Sequence, residues 1–438
     1  MVAPAGSELQ VGFRYATRVD SFGSDIWAPA VNNFFRAKSA SGVVAKRKLE
    51  AVGNMDPSNQ ALKGNPVEAA ISPKFTLNPD VNSILRPLAS FLSQNPTITT
   101  PAGGTSSRQW VMTPFEVGDT APATYIDSLV FEVSDNDGNP ILISGARISG
   151  FTFKIAHGKI VDCEMDLLAC HDTYSSDPTT ILAATYTGKP IIRGHWATAN
   201  MASTFKAKVT AVAGGGFDGT IKMTKAAYAG STTLQIKFDT WYRVTLDDGS
   251  RLGIDRFDDV WICFPSSSST TLAVNDEFSW TATRTLATAS YSTLDALQAG
   301  GLEFSVGGQI YYVHDAEVKL MRPRSANFVA GSKYAISVQK NGPFDAQITI
   351  NRDRDDRDFL KKLIDASSFA AAMKLYGNPI EGNIDQLLQI DWPNCQVSEA
   401  TRDVTTPNTL QEKVVIDPFR TGSSDIFTVT AIGTQTAL

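Results

Sequence analysis

At 438 residues the chain is too long for a single ordinary core and calls for two or three domains, which its 42% apolar content is enough to fill. Its 45 Asp and Glu outnumber its 39 Lys and Arg, for a net charge of -6, which argues against a protein that grips nucleic acid by its phosphates. Four cysteines (Cys163, Cys170, Cys263 and Cys395) make no disulfide framework, and no run approaches the roughly 20 apolar residues of a membrane span.

Abundant Thr, Ser, Ala and Gly, recurrent turn signals and only 19% charged residues predict a mainly β protein with a few short helices. The first residues, MVAPAGSELQ, carry neither a basic nor an apolar leader segment, so the expectation is synthesis in a reducing cytoplasm without membrane insertion.

Val11, Phe13 and Tyr15 share one side of an early strand, and a loop-like connection over 41–66 follows. Ala69, Ile71, Pro73, Phe75 and Leu77 have one parity and predict a strand over 67–77, with Pro73 at an edge or a bulge. Asp80 caps a predicted helix in which Val81, Ile84, Leu85, Leu88, Phe91 and Leu92 recur at helical spacing and Pro87 introduces a kink.

Further strands are predicted at 108–113, 126–133 and 141–144. They lead into the most cleanly patterned stretch, the hairpin 146–169 with its turn at His157-Gly158. Phe151, Phe153, Ile155, Val161, Cys163, Met165 and Leu167 share the apolar face, while Thr152, Lys154, Asp162, Glu164 and Asp166 form a net acidic face turned to water or to another subunit.

The chain loosens after His171 and predicts a domain boundary near residue 180. A Thr/Ser/Gly-rich segment of short strands occupies 181–308, read either as a sandwich-like insert or linker or as partly belonging to the flanking sheets and the second domain, and a second strand-rich block fills 309–438. That block echoes the first: the strand ending at Ile348 and Ile350 runs into an Asp-rich helix start with Phe359, Leu363 and Ile364, as 71–77 runs into Asp80 and Val81. Ile126-Asp-Ser-Leu echoes Ile384-Asp-Gln-Leu, and together the two echoes favour an internal duplication.

No GxSxG, HExxH, P-loop or CxxC pair occurs, so no catalytic residue, cofactor or metal is expected. Cys163 and Cys170, seven residues apart along extended chain, cannot share one zinc. Asp135, Asp137 and Asn139 have calcium-loop spacing, but Ala146 stands where a bidentate Glu is needed. His157, His171, His195 and His314 have no nucleophile beside them. The run Arg352, Asp353, Arg354, Asp355, Asp356, Arg357, Asp358 reads either as a solvated helix start or as an ionic contact between subunits or rings.

The order of parts in 67–92, 126–169, 344–364 and 384–432 resembles the tail tube proteins of long-tailed bacteriophages, in the form that carries two tandem tube domains. The resemblance covers under half of the chain and rests on layout, since no short motif defines that family. It implies tandem β-barrel or sandwich tube domains at 1–180 and 309–438 around a β-rich insert, and a structural virion protein made in the host cytoplasm. It implies self-assembly into trimeric, pseudo-hexameric rings stacked as a hollow tube, with phage DNA passing through unbound. Partners would be tape-measure, tail-terminator and distal tail proteins, with the acidic hairpin face on the lumen and the loop 41–66 reaching the next ring. A different class, a β-rich binding module or adhesin, would use Trp241, Tyr242, Trp261 and Trp280 of the middle segment as a ligand surface.

Overall fold

A computed structural model shows a mainly β chain with two short α-helices. It describes residues 9–15, 33–43, 46–52, 62–115, 128–135, 141–174, 177–182, 191–193, 204–212, 218–225, 231–237, 241–244, 260–263, 277–281, 289–328, 335, 337–353, 357–403, 411–422 and 424–437.

The first unit contains β1 (Leu9–Tyr15), β2 (Asn33–Ser41), β3 (Lys46–Val52), β4 (Leu62–Ala70), β5 (Lys74–Leu77), α1 (Val81–Leu92), β6 (Thr97–Thr99), β7 (Arg108–Met112), β8 (Leu129–Asp135), β9 (Ile141–Ala156), β10 (Asp162–Leu168) and β11 (His171–Tyr174). Antiparallel pairing runs β1-β2-β5-β10-β9-β8 and back to β1, which closes a barrel. Alternate residues point inward, and four of them form a cycle of rings: Phe13 to Phe35 at 6.0 Å, Phe35 to Phe75 at 5.7 Å, Phe75 to Phe131 at 5.2 Å and Phe131 to Phe13 at 5.9 Å.

The predicted strand 67–77 is two strands, β4 and β5, interrupted at 71–73, where Pro73 has no N–H to give a ladder. The expected loop is, over its described part, a second hairpin in which β3 pairs with β4, so β2-β3 and β4-β5 form one long interrupted arm. α1 begins at Asp80, whose side chain accepts from Ser83 N at 3.1 Å, runs on through Pro87 and ends at Ser93 in the left-handed region. All of its residues except Arg86 are buried.

The middle segment adds β12 (Asp177–Leu182), β13 (Ile191–Arg193), β14 (Thr204–Val212), β15 (Asp218–Lys225), β16 (Ser231–Lys237), β17 (Trp241–Val244), β18 (Val260–Cys263) and β19 (Glu277–Thr281). These form a five-stranded sheet, β12-β19-β14-β15-β16, and a three-stranded one, β13-β18-β17. β12 thus crosses the boundary expected near 180.

The second unit contains β20 (Leu302–Val306), β21 (Gln309–Tyr311), β22 (Asp315–Met321), β23 (Arg324–Asn327), β24 (Ser337–Lys340), β25 (Asp345–Asp353), α2 (Asp358–Ile364), β26 (Phe369–Glu381), β27 (Ile384–Asp403), β28 (Gln411–Pro418) and β29 (Thr428–Gly433). With β21 and β22 acting as one interrupted strand, pairing runs β20-β21/β22-β25-β28-β27-β26 and back to β20. Strand for strand this repeats the first barrel: β1 matches β20, β2 matches β21/β22, β5 matches β25, and β8, β9, β10 and β11 match β26, β27, β28 and β29. The arm β3-β4 has its shorter counterpart in β23-β24.

The match extends to a single irregularity. Ser149 in β9 and Ser398 in β27 are both left unpaired where the ladder skips one residue, and one spacing of 249 residues relates Ser149 to Ser398, Asp162 to Gln411 and Leu167 to Ile416. Of the echo between 126–129 and 384–387, Ile126 and Asp127 lie outside the described residues, and Leu129 opens β8, which is matched by β26, whereas Ile384 opens β27, the counterpart of β9.

The two barrels are joined strand to strand. β9 is long enough to serve both: its first half pairs with β8, and its second half pairs on that same side with β22, from Gly150↔Met321 to Ala156↔Asp315. α1 is wedged behind this junction, packing on β9 and also on β27 and β29. Its Phe91 ring meets Phe151 at 5.5 Å and Phe344 at 5.3 Å, and Arg322 lies over Phe344 at 4.0 Å. Fully buried Gln386 of β27 accepts from Val81 N at 3.3 Å and donates to Asp295 O at 2.8 Å, which satisfies polar groups that burial would otherwise penalise.

Candidate functional site

Joining the barrels creates one continuous antiparallel sheet of eight strands in the order β2-β5-β10-β9-β22-β25-β28-β27. Because side chains alternate across a pleated sheet, one face carries the core residues and the other faces away from both barrels. On the second face the register lines up Asp162, Lys154, Glu317, Thr349, Val415 and Glu399 in one row across six strands. The row crosses a concavity of about 540 Å³ whose lining also includes Asp315, Lys319 and Lys413.

Thr152, Lys154, Asp162, Glu164 and Asp166 all lie on this face, opposite buried Phe151, Phe153, Cys163 and Met165. The charges are interleaved. Lys154 Nζ is 2.6 Å from Glu164 Oε1, Lys74 Nζ is 2.7 Å from Glu164 Oε2, and Lys38 Nζ is 2.6 Å from Asp162 Oδ1. Hydrogen bonds from Lys154 and Lys74 hold the Glu164 carboxyl below the usual carboxylate range, and the same contact with Glu164 raises Lys74. Carboxylates outnumber the ammonium groups, so the face is polar, partly self-neutralised and residually acidic.

The described residues of the run 352–358 differ in their surroundings. Arg352 is buried within its own chain, 3.3 Å from the buried Glu412 carboxylate and stacked 4.7 Å from the Phe359 ring, so it has no surface to offer a partner. Asp353 Oδ1 lies 2.9 Å from His314 Nε2, and Asp358 accepts from Lys362 and from the Tyr311 hydroxyl. Arg357 is exposed beside α2, and Arg354, Asp355 and Asp356 lie outside the described residues.

One contact was not legible beforehand. Glu381, at the β26-β27 turn, accepts from the backbone N–H groups of Thr105, Ser106 and Ser107 and from their hydroxyls, clasping the loop before β7. Those bonds, the Ser107 hydroxyl first, depress its pKa far below the ordinary carboxylate value. Glu, Ser and Thr in turns and loops are too common for such a pairing to be read from sequence.

Cys163 and Cys170 belong to different apolar clusters, and burial pushes the Cys163 thiol up and the Cys395 thiol up to about 12. Among the described residues no group of three His, Cys, Asp or Glu is placed to hold a metal ion, and no helix is long and apolar enough to cross a membrane. The side chains of Trp241, Tyr242, Trp261 and Trp280, those of His171 and His195, and residues 136–140 of the calcium-like spacing lie outside the described residues.

Comparison of the chain with protein-family profiles and with the sequences of characterised proteins gives no match.

Proposed function

We propose that the protein is a structural subunit that assembles with copies of itself, side by side and in stacked rings, into a hollow tube of the phage tail type. The observation that carries this reading is the eight-stranded sheet built across two matched barrels: its outer face is polar, and among the described residues the ends of its two outermost strands, 37–41 of β2 and 396–403 of β27, each lack a strand partner on one side. Sheets continued from copy to copy cover edges that would otherwise pair at random.

In such a tube the face bearing Thr152, Lys154, Asp162, Glu164 and Asp166 lines the lumen. Residual negative charge there repels phosphates over a Debye length of about 8 to 10 Å, so DNA passes without adhering. Repetition of the barrel within one chain accords with a trimeric ring of pseudo-hexameric symmetry. The arm β3-β4, a two-stranded sheet of its own, is suited to reach a neighbouring ring. The tube reading places the protein in the virion tail, with tape-measure, terminator and distal tail proteins as its partners.

Electron microscopy of the concentrated purified protein tests the reading. Stacked annuli with a stain-filled centre are the expected result; a compact monomer at every concentration and salt tried would sink it.

A further inference from the structure

The repeat predicts how one copy meets the next. The intrachain junction uses the second half of β9 from one barrel and β22 from the other. The spacing of 249 carries that half of β9 to a stretch that begins at Glu399 and takes in the end of β27, and among the described residues no strand pairs with 399–403 on the side away from β28. The counterpart of β22 begins at Ser39 and takes in the end of β2, which β5 pairs on one side, while among the described residues the pairing with β1 stops at Arg36 on the other. Each end of the chain's sheet therefore carries one half of a junction already formed once in its middle.

Burial agrees with this. Phe151, covered at the intrachain junction, is buried, whereas its counterpart Ala400 is half-buried, and Glu399 and Thr401 beside it are exposed. α1, which backs the intrachain junction, is buried on nearly all sides, whereas its counterpart α2 leaves Ile364 73% exposed and buries only Phe359.

We infer that copies associate head to tail, the end of β27 in one copy pairing antiparallel with the end of β2 in the next, with Ser41 opposite Asp403 and Val43 opposite Thr401. The register follows from matched pairs. Cys163 pairs with Leu77 as Glu412 pairs with Arg352, so Lys74 corresponds to Thr349. Ser41 pairs with Lys74 as Glu317 pairs with Thr349, so Ser41 corresponds to Glu317. Glu317 pairs with Lys154, and the spacing of 249 carries Lys154 to Asp403. The contact is heterologous: it joins two different edges, so it builds rings or chains and not two-fold dimers. A second copy is the fitting occupant because the complementary edge, with its backing helix, is already seated in this manner within the chain.

The inference rests on the proposed assembly for the closing of a ring, but its register stands on strand pairing alone. Directly opposed residues in an antiparallel pair have Cα atoms about 4.5 to 5.5 Å apart, within the range that a disulfide bridges. Two full-length single variants, Ser41→Cys and Asp403→Cys, are mixed, allowed to assemble, oxidised and run on a non-reducing gel. A covalent dimer should form in the mixture and in neither variant alone, and replacing Asp403→Cys by Thr401→Cys, two residues out of register, should cut its yield several-fold. Self-linking of Ser41→Cys alone, a higher yield with Thr401→Cys, or assembled particles that never link would each overturn the inference. Linked rings that never stack would leave the junction standing and remove the tube reading, whereas unlinked tubes would do the reverse.

Discussion

Lys154 and Glu164 face each other diagonally across β9 and β10, with Nζ 2.6 Å from Oε1, on the side of the hairpin that carries no core residue. Both side chains keep some exposure to water, so the pair adds about 0.2 to 1 kcal/mol and not the several kcal/mol of a buried charge. Because Glu164 titrates lower when folded than when unfolded, its contribution is present above the unfolded value of about 4.3 and fades as pH falls through the folded one. Glu164→Gln should thus lower the urea midpoint slightly at pH 7, and the difference from the parent should vanish in acid. A difference that grew as the pH fell would contradict this.

Arg352 and Glu412 make the opposite case, because both are buried. Arg352→Ala leaves a buried carboxylate without its cation and should cost about 3 to 5 kcal/mol. Replacing both together, Arg352→Met with Glu412→Leu, should restore most of the lost melting temperature. A calorimetric scan of the three variants checks both statements.

Phe91 should be the most sensitive single position between the barrels, since its ring contacts one barrel at Phe151 and the other at Phe344. Phe91→Ala should destabilise by about 3 to 5 kcal/mol. It should also expose the β9-β22 pairing to hydrogen exchange before the distant Phe13-Phe35-Phe75-Phe131 cycle opens. Uniform exchange across both regions would show that α1 does not back the junction.

The clasp of Glu381 on Thr105, Ser106 and Ser107 predicts a local effect. In Glu381→Gln the three amide protons should exchange faster while the melting temperature stays near that of the parent, because the carboxylate sits at the surface. In the parent, protection should persist to lower pH than an ordinary glutamate would allow, since the carboxyl stays ionised there. Loss of protection around pH 4 would refute it.

What sequence revealed and what it hid follow from how far each partner lies along the chain. The hairpin 146–169 was legible because a strict period of two coincides with one wholly buried face, and α1 because Asp80 caps it and Val81, Ile84, Leu85 and Leu88 repeat at helical spacing. The arm β3-β4 was not, since Gly64 and Pro66 carry the marks of a loop and only cross-strand pairing makes them part of an arm. The β9-β22 junction was hidden for another reason: nothing local in Gly150 or Ala156 announces a partner near residue 318. The duplication was visible only in part, because Phe151 and Phe153 are matched by Ala400 and Arg402, which keeps the path of the chain while erasing its hydrophobic signature. Arg352 read as solvated because charge density says nothing of a buried Glu412 sixty residues on.

The pairing of β9 with β22 also bears on kinetics. Two barrels on one polypeptide meet at an effective concentration set by their tether, not by dilution, and the translational entropy of that encounter is settled when the chain folds. Every second seam of a closed ring would then be in place before any two molecules collide, leaving fewer diffusive events to complete it and a nucleus that tolerates scarcity of subunits.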